Sequence, residues 1–134
     1  GHDAAPLHVA NPGQLFEVGG MQAEFFRVAH SIPDACGLAF HTAAGTVVHT
    51  GDFMFDHLPI GGPGKRSDIP GLARLGSEGV LVLLADSTNV DRRGFTGSET
   101  EVIPAFEEIF SSATGRLIVS AFSSSIYRLQ IVVD

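Results

Sequence analysis

The sequence predicts an α/β fold, and three features of the chain lead to this prediction. Glycines and prolines divide its first half into short apolar segments of the length of β-strands. Val80–Ala85 is a continuous apolar run bounded by Gly79 and Asp86, which is typical of a fully buried strand in an α/β sheet. Apolar residues recur at helical spacing between Ser98 and Ser112. Strands and helices are therefore expected in one chain.

The composition agrees with a single globular domain and narrows the classes of function. The chain has 134 residues, 44% of them hydrophobic. Its formal net charge of -7 argues against binding nucleic acid through a broad basic face. The single cysteine, Cys36, excludes an internal disulfide framework and is expected to pack in the core. No apolar run approaches the roughly 20 residues of a membrane span, so we expect a cytoplasmic protein without membrane contact.

The first half of the chain is expected to form two β-hairpins. The four predicted strands are Leu15–Val18, Met21–Val28, Gly37–His41 and Thr46–Thr50. Gly19-Gly20 supplies the first turn, and Ala43-Ala44-Gly45 supplies the second. The buried side of the first hairpin is expected to carry Phe25, Phe26 and Val28. The second hairpin ends shortly before Asp52, which therefore follows a strand end.

A surface loop and a short helix should come next. Leu58–Arg66 is rich in proline and glycine, so it is expected to be a loop. Asp68 is a suitable N-cap, Pro70 fits a first turn, and Gly76 is a suitable C-terminal stop. The strand Val80–Ala85 follows this helix.

The last part of the chain is expected to contain two helices and one more buried strand. Ser98 and Glu101 have the spacing of a capping box, and Pro104 predicts that regular helix begins near Thr100 or is kinked. After Gly115, the segment Leu117–Phe122 should form a buried strand. A helix through Val133, capped by Ser123 to Ser125, completes the prediction. Because the sequence stops without a helix-ending signal, we expect a piece of a longer protein.

Several polar residues stand at the predicted strand ends, where α/β proteins collect functional groups. All six histidines lie in the first half, so a histidine-based metal site must be built there. His30 and Asp52 fit metal ligation, but a structural histidine and a turn-capping aspartate are the alternatives. Asp86 could orient a ligand or simply complete its turn. Ser123 to Ser125 could bind phosphate or only cap a helix.

Longer phrases of the sequence resemble ribonuclease J, the bacterial branch of the β-CASP metallo-β-lactamase nucleases. The resemblance runs in order from Val9 to Val133. The phrases that carry it are His30–Ala35, Val48–Phe53 with Phe55-Asp56, Leu84–Asn89, Gly115–Val119 and Phe122–Gln130.

The resemblance implies a fold and a division of the chain. The fold is the latter part of a metallo-β-lactamase αββα sandwich, which runs into the start of a β-CASP domain. Residues 1–114 would belong to the partial metallo-β-lactamase-like domain, and residues 115–134 would begin the β-CASP-like segment. Apolar surface that the rest of the sandwich would cover should promote self-association or a homo-oligomer.

The resemblance also implies residue roles. His30 would bind one zinc ion, Asp52 would bridge two, and Asp52 and Asp86 would serve catalysis. Ser123, Ser125 and Arg128 would bind the substrate. The reaction would be hydrolysis of RNA phosphodiester bonds, exonucleolytic from the 5′ end as well as endonucleolytic, assisted by two zinc ions.

The sequence departs from the family at two places. The metal motif His-x-His-x-Asp-His is absent, and His2 and His8 do not reproduce its spacing. Ser125 and Tyr127 stand where the family usually has Asn and His. The chain is therefore expected to be inactive alone.

Two other functions fit parts of the sequence. One is a metallo-β-lactamase-fold hydrolase that acts on an ester or a lactone. The other is a non-catalytic half-domain that serves in assembly or binds phosphate through Arg92, Arg93 and the Ser123 region.

Overall fold

The computed structural model describes residues 7–133, and within them one five-stranded sheet is accompanied by three α-helices. The strands are β1 (Leu15–Val18), β2 (Met21–Arg27), β3 (Cys36–Thr42), β4 (Gly45–His49) and β5 (Val80–Leu84). The helices are α1 (Ile69–Glu78), α2 (Ile103–Ser112) and α3 (Ile126–Val133). The predicted mixture of helices and strands is confirmed. Within the described range, no helix is long and apolar enough to cross a bilayer.

The strands lie in the sheet in their order along the chain. The first four pair antiparallel as the two predicted hairpins, and β5 adds to β4 in parallel. Gly19 and Gly20 form the first turn with φ angles of 57° and 78°, which glycine adopts without steric cost. Both predicted hairpins are confirmed.

The first hairpin buries only part of the predicted apolar set. Phe26 and Val28 are each 3% exposed and join the core. Phe25 was wrongly predicted to lie beside them, because successive side chains of a strand point to opposite faces. Its ring instead stacks on Phe16, with 5.1 Å between ring centroids.

Helix α1 covers one face of the sheet. Asp68 caps it, accepting a hydrogen bond from the Gly71 amide at 3.0 Å. The helix runs through Gly76 and ends at Gly79, whose φ is 99°, so the predicted stop at Gly76 is wrong. Leu75 of α1 is 1% exposed. It packs in a core cluster with Phe26, Val28, Ala39 and Val48.

An ion pair joins α1 to the same face of the sheet. Glu24 of β2 is 5% exposed, and its carboxylate pairs with the Arg74 guanidinium of α1. His41 Nε2 lies 3.5 Å from the same Glu24 oxygen. Burying a carboxylate is costly unless it is paired, so this contact fixes where α1 rests on the sheet.

The opposite face of the sheet is largely apolar, and apart from the buried Ala23 its apolar side chains are covered only in part. Its side chains alternate with those that face α1, and none of the seven named here is buried. We call this surface the open face; it consists of Phe16, Phe25, Leu38, Phe40, Val47, Val82 and Leu84.

Strand β5 forms where it was predicted, but the prediction of full burial is wrong. Leu81 and Leu83 are 59% and 61% exposed. Among the described residues, β5 pairs only with β4, so it is an edge strand. An apolar run of this kind matches a strand covered on both faces, and residues 7–133 do not supply that cover.

The C-terminal third follows the predictions in part. Ser98 and Glu101 form the predicted capping box, on a 3₁₀ turn that precedes α2. Because α2 begins at Ile103, Pro104 lies in its first turn, where proline is tolerated. The predicted strand Leu117–Phe122 is absent and its Ile118 is 88% exposed, since no strand lies beside it to supply hydrogen bonds. Helix α3 forms where it was predicted, and its capping by Ser123 to Ser125 stays a prediction.

Candidate functional site

The candidate site lies at the carboxyl ends of β4 and β5. Because these two strands are parallel, the loops that follow them emerge at the same edge of the sheet. Asp52 follows β4 and Asp86 follows β5, and both line one surface cleft together with His49 and Leu84. The structure thus brings together the two aspartates that the sequence singled out.

Thr50 holds the two loops together. It is 5% exposed, its amide donates to the Leu84 carbonyl at 3.0 Å, and its Oγ1 accepts from the Asp86 amide at 3.0 Å. Gly51 has a φ of 62°, and a Cβ there would lie 3.0 Å from the Cys36 carbonyl oxygen. Sequence reasoning missed Thr50, although it stands within the Val48–Phe53 phrase.

Asp86 completes the turn in which it lies. Its Oδ1 accepts hydrogen bonds from the Thr88 hydroxyl at 2.6 Å and from the Thr88 amide at 3.0 Å. Both bonds lower the pKa of Asp86 below its usual range, and the bond from the hydroxyl contributes more than the bond from the amide. The nearby His30 lowers the pKa further. The carboxylate is therefore ionised at neutral pH and fixed in orientation.

His30 is carried to the same region by the end of β2. The Ala29 carbonyl accepts from the Met54 amide at 2.9 Å, which joins the His30 segment to the loop of Asp52. His30 and Asp52 line one groove with Ser124 and Cys36. Cys36 is half-buried there, so the prediction that it packs in the core is wrong.

The described residues do not assemble a metal site on their own. Within residues 7–133, no group of three or more His, Cys, Asp or Glu side chains is placed to hold a metal ion. His49 is engaged locally, since its Nδ1 accepts from the Gly51 amide at 2.9 Å, and His41 lies beside Glu24. His2 lies outside the described residues. Between residues 7 and 133, His30 and Asp52 are thus two potential donors without a third in position.

A second cleft connects His30 to helix α3. Ser125 and Arg128 line it together with Ser31 and Met54. Ser123 is exposed and lines neither this cleft nor the groove of His30 and Asp52. Two of the three predicted substrate-binding residues therefore face the same space as the predicted metal-binding histidine.

The cations of the alternative phosphate-binding hypothesis are placed differently. Arg92 and Arg93 are exposed in the loop that follows Asp86. Neither lines the clefts around His30. The structure does not join them to the Ser123 region.

Asp56, to which the sequence assigned no role although Phe55-Asp56 is one of the resembling phrases, is the most buried acidic group near the site, at 5% exposed. Burial alone would raise the pKa of Asp56, but hydrogen bonds from the Glu99 and Leu58 amides and from Ser98 outweigh it and lower the pKa. The ionised carboxylate accepts from the Leu58 amide at 2.8 Å and the Glu99 amide at 3.1 Å. No pattern in the sequence marks this arrangement, because Ser98 and Glu99 are more than forty residues from Asp56.

We expect Asp56 to make the free energy of unfolding depend on pH in the acidic range. Because its pKa is lower in the folded chain than in the unfolded one, its contribution is present above about pH 4 and is lost as pH falls through the folded pKa. Asp56→Asn should therefore cost about 1–2 kcal/mol of unfolding free energy at pH 7 and less near pH 3, where part of the contribution is lost. Urea denaturation followed by circular dichroism at both pH values measures this. Asp91→Asn, at an exposed position, is the control, and an equal loss at both pH values would contradict the prediction.

The chain is similar in sequence to proteins named ribonuclease J. No protein-family model matches the chain. It is 45% identical over 122 residues to ribonuclease J of Mycobacterium tuberculosis, a match that covers 91% of this chain and 22% of that protein. It is 44% identical over 129 residues to ribonuclease J of Synechocystis, covering 96% of this chain and 20% of the relative. The resemblance seen in the sequence is confirmed, and the chain spans about a fifth of these relatives' length.

Proposed function

Because the chain is similar to ribonuclease J along most of its length, we propose that it is part of an enzyme that hydrolyses RNA phosphodiester bonds. The observation that carries the proposal is the meeting of His30, Asp52 and Asp86 around the ends of β2, β4 and β5. We also propose that the enzyme cleaves RNA both from the 5′ end and at internal positions. Its proposed location is the cytoplasm.

The open face supports a proposal about the complete fold. A sheet that carries a helix on one face and apolar side chains on the other is stable when another layer packs on the second face. We propose that this layer is the remaining sheet of an αββα metallo-β-lactamase sandwich, to which residues 1–114 contribute the latter part. Residues 115–134 then begin a β-CASP segment, whose sheet would take up Leu117–Phe122. Where that layer is missing, self-association is the expected substitute.

We propose zinc as the cofactor of the complete enzyme, with His30 and Asp52 as two of the donors. A two-ion site needs more donors than these, and the part of the chain seen in the structure does not supply them. The other donors would come from outside residues 7–133. Asp86 would lie beside the reacting phosphate as an ionised group. Ser123, Ser125 and Arg128 would contact the RNA backbone.

One observation favours a second candidate function. The incomplete donor set within residues 7–133 fits a non-catalytic half-domain that serves in assembly or binds phosphate. Such a half-domain needs neither His30 nor a metal ion. No feature of the described residues favours an esterase or a lactonase.

A grafted enzyme tests the proposed function. The matched segment of the Thermus thermophilus ribonuclease J, which is 43% identical over 128 residues, would be replaced by this chain. We expect the purified chimera to retain zinc and to hydrolyse single-stranded RNA. Asp52→Asn in the chimera should lower the rate at least about a hundredfold, because a bridging carboxylate is lost.

Three further measurements make this result decisive. Asp91→Asn in the same chimera is the matched control and should leave the rate unchanged. Zinc content by elemental mass spectrometry and light scattering, on the chimera and on this chain alone, show which of them holds metal and in what oligomeric state. A folded, zinc-loaded chimera without RNA hydrolysis would overturn the proposal. Unchanged hydrolysis in the Asp52→Asn variant would remove the proposed role of this residue.

A further inference from the structure

A chain of polar contacts runs from the loop after Asp52 to helix α3. It starts at the buried Asp56 carboxylate, whose Oδ2 accepts from the Glu99 amide at 3.1 Å and lies 3.0 Å from Ser98 Oγ. Both contacts hold the 3₁₀ turn that precedes α2. The backbone of Glu99 is therefore fixed by a charge buried beneath it.

The side chain of Glu99 carries the connection to α3. Its Oε2 lies 2.7 Å from an Arg128 amino nitrogen. The Glu99 side chain is 27% exposed and the Arg128 side chain is 41% exposed, so solvent screens this ion pair only in part. Asp56 thus acts on Arg128 indirectly, because it fixes the backbone of Glu99, and the Glu99 side chain binds Arg128.

Arg128 keeps unused donors. Its Nε is buried and has no hydrogen-bond acceptor among the described residues. The residue lines the cleft that also contains His30 and Ser31. A guanidinium held by a carboxylate on one amino group has a fixed plane, so its remaining N–H groups point in fixed directions. The side chain as a whole is 41% exposed, so its remaining amino-group donors are accessible to an anionic acceptor that enters the cleft.

The other cation pair in this cleft is less constrained. Lys65 Nζ donates to Asp34 Oδ1 at 3.0 Å, but the Asp34 side chain is 85% exposed. An ammonium on a flexible stem also lacks the planar geometry that matches a phosphate. Arg27 lines the cleft as well. Of the two cations with an ion-pair partner there, Arg128 is the one whose partner, Glu99, is itself anchored through its backbone.

We propose that Asp56 and Glu99 are positioning residues that hold Arg128 in the cleft beside His30 so that it binds a phosphate of RNA. The identity of the ligand rests on the proposed function, whereas the positioning rests on the contacts described above. Glu99 does not compete with RNA for Arg128 in this arrangement, because it occupies one amino group and leaves the other donors available.

RNA binding to this chain tests the proposal. Fluorescence anisotropy with a labelled, 5′-phosphorylated single-stranded RNA would be measured for the unaltered chain, Glu99→Gln, Arg128→Gln and the double variant. We expect Arg128→Gln to weaken binding about tenfold, as the loss of one charge-assisted hydrogen bond predicts. Glu99→Gln should weaken it severalfold, and the double variant should bind no more weakly than Arg128→Gln. Glu107→Gln, an exposed carboxamide substitution on α2, is the matched control.

Non-additivity separates positioning from a general structural role. If Glu99 only stabilised the fold, the two losses would add in the double variant. Additive losses would therefore overturn the proposal. Unchanged or tighter RNA binding by Glu99→Gln would overturn it as well, because the carboxylate would then be a competitor.

A measurement without RNA keeps the two proposals distinguishable. The Nε–H resonance of Arg128 in a nitrogen-15 NMR spectrum should be visible in the unaltered chain and in Glu107→Gln. It should be lost or exchange rapidly in Asp56→Asn and Glu99→Gln. An unaltered resonance in Glu99→Gln would overturn the positioning. The unaltered chain could show the resonance and still not bind RNA. That result would support the positioning of Arg128 by Asp56 and Glu99, and it would overturn RNA as the ligand of Arg128.

Discussion

Replacement of Leu75 by alanine should lower the free energy of unfolding by about 3 kcal/mol. Leu75 is 1% exposed and is the residue through which α1 enters the core cluster. The substitution removes buried methyl groups and leaves a cavity that the surrounding side chains fill only in part. Urea denaturation followed by circular dichroism measures the change, since the chain contains no tryptophan.

Leu83→Ala is the matched control for this prediction. The same atoms are removed, but Leu83 is 61% exposed on the edge strand β5. We expect a loss below about 1 kcal/mol, because little apolar surface leaves water at this position when the chain folds. Equal losses in the two variants would show that α1 does not pack on the sheet as described.

Replacement of Gly37 by alanine should also destabilise the chain, by about 1–3 kcal/mol. A Cβ at this position would overlap the ring of Phe26 and would lie 2.9 Å from the Thr50 carbonyl oxygen. The ring belongs to the core and has little room to move, so the added methyl group overpacks the site. Because Thr50 joins the loops of Asp52 and Asp86, the substitution should also disturb the candidate site.

Gly76→Ala is the control for this second prediction. Gly76 lies inside α1, and no atom approaches the position of its missing Cβ within 4 Å. Alanine there should stabilise the chain by about 0.5–1 kcal/mol, since it is the better helix former. Chemical denaturation measures both variants, and a Gly37→Ala chain as stable as the unaltered one would contradict the described contact with Phe26.

The sequence was most informative where local chemistry determines local structure. The Gly19-Gly20 turn, the Asp68 cap and the Ser98 capping box depend on neighbours within a few residues, and each formed as predicted. The position of β5 was also predictable from its apolar run. His30, Asp52 and Asp86 could be singled out because each stands beside a strand end.

The failures share a physical cause, which is that burial and pairing depend on distant parts of a protein. Leu117–Phe122 has the composition of a strand, but a strand requires a neighbour for its hydrogen bonds. The exposure of β5 has the same origin. Asp56 and Thr50 stood within the resembling phrases but received no role, because their importance comes from partners more than thirty residues away. Local sequence patterns do not record such contacts.

The bonds of Thr50 have a consequence for motion. Since one side chain and one amide tie the loop after β4 to the loop after β5, neither loop can open without breaking contacts to the other. Asp52 and Asp86 should therefore fluctuate together as one cooperative unit. Their amide protons would exchange with solvent at similar rates, and replacing Thr50 by valine would let the two loops exchange independently.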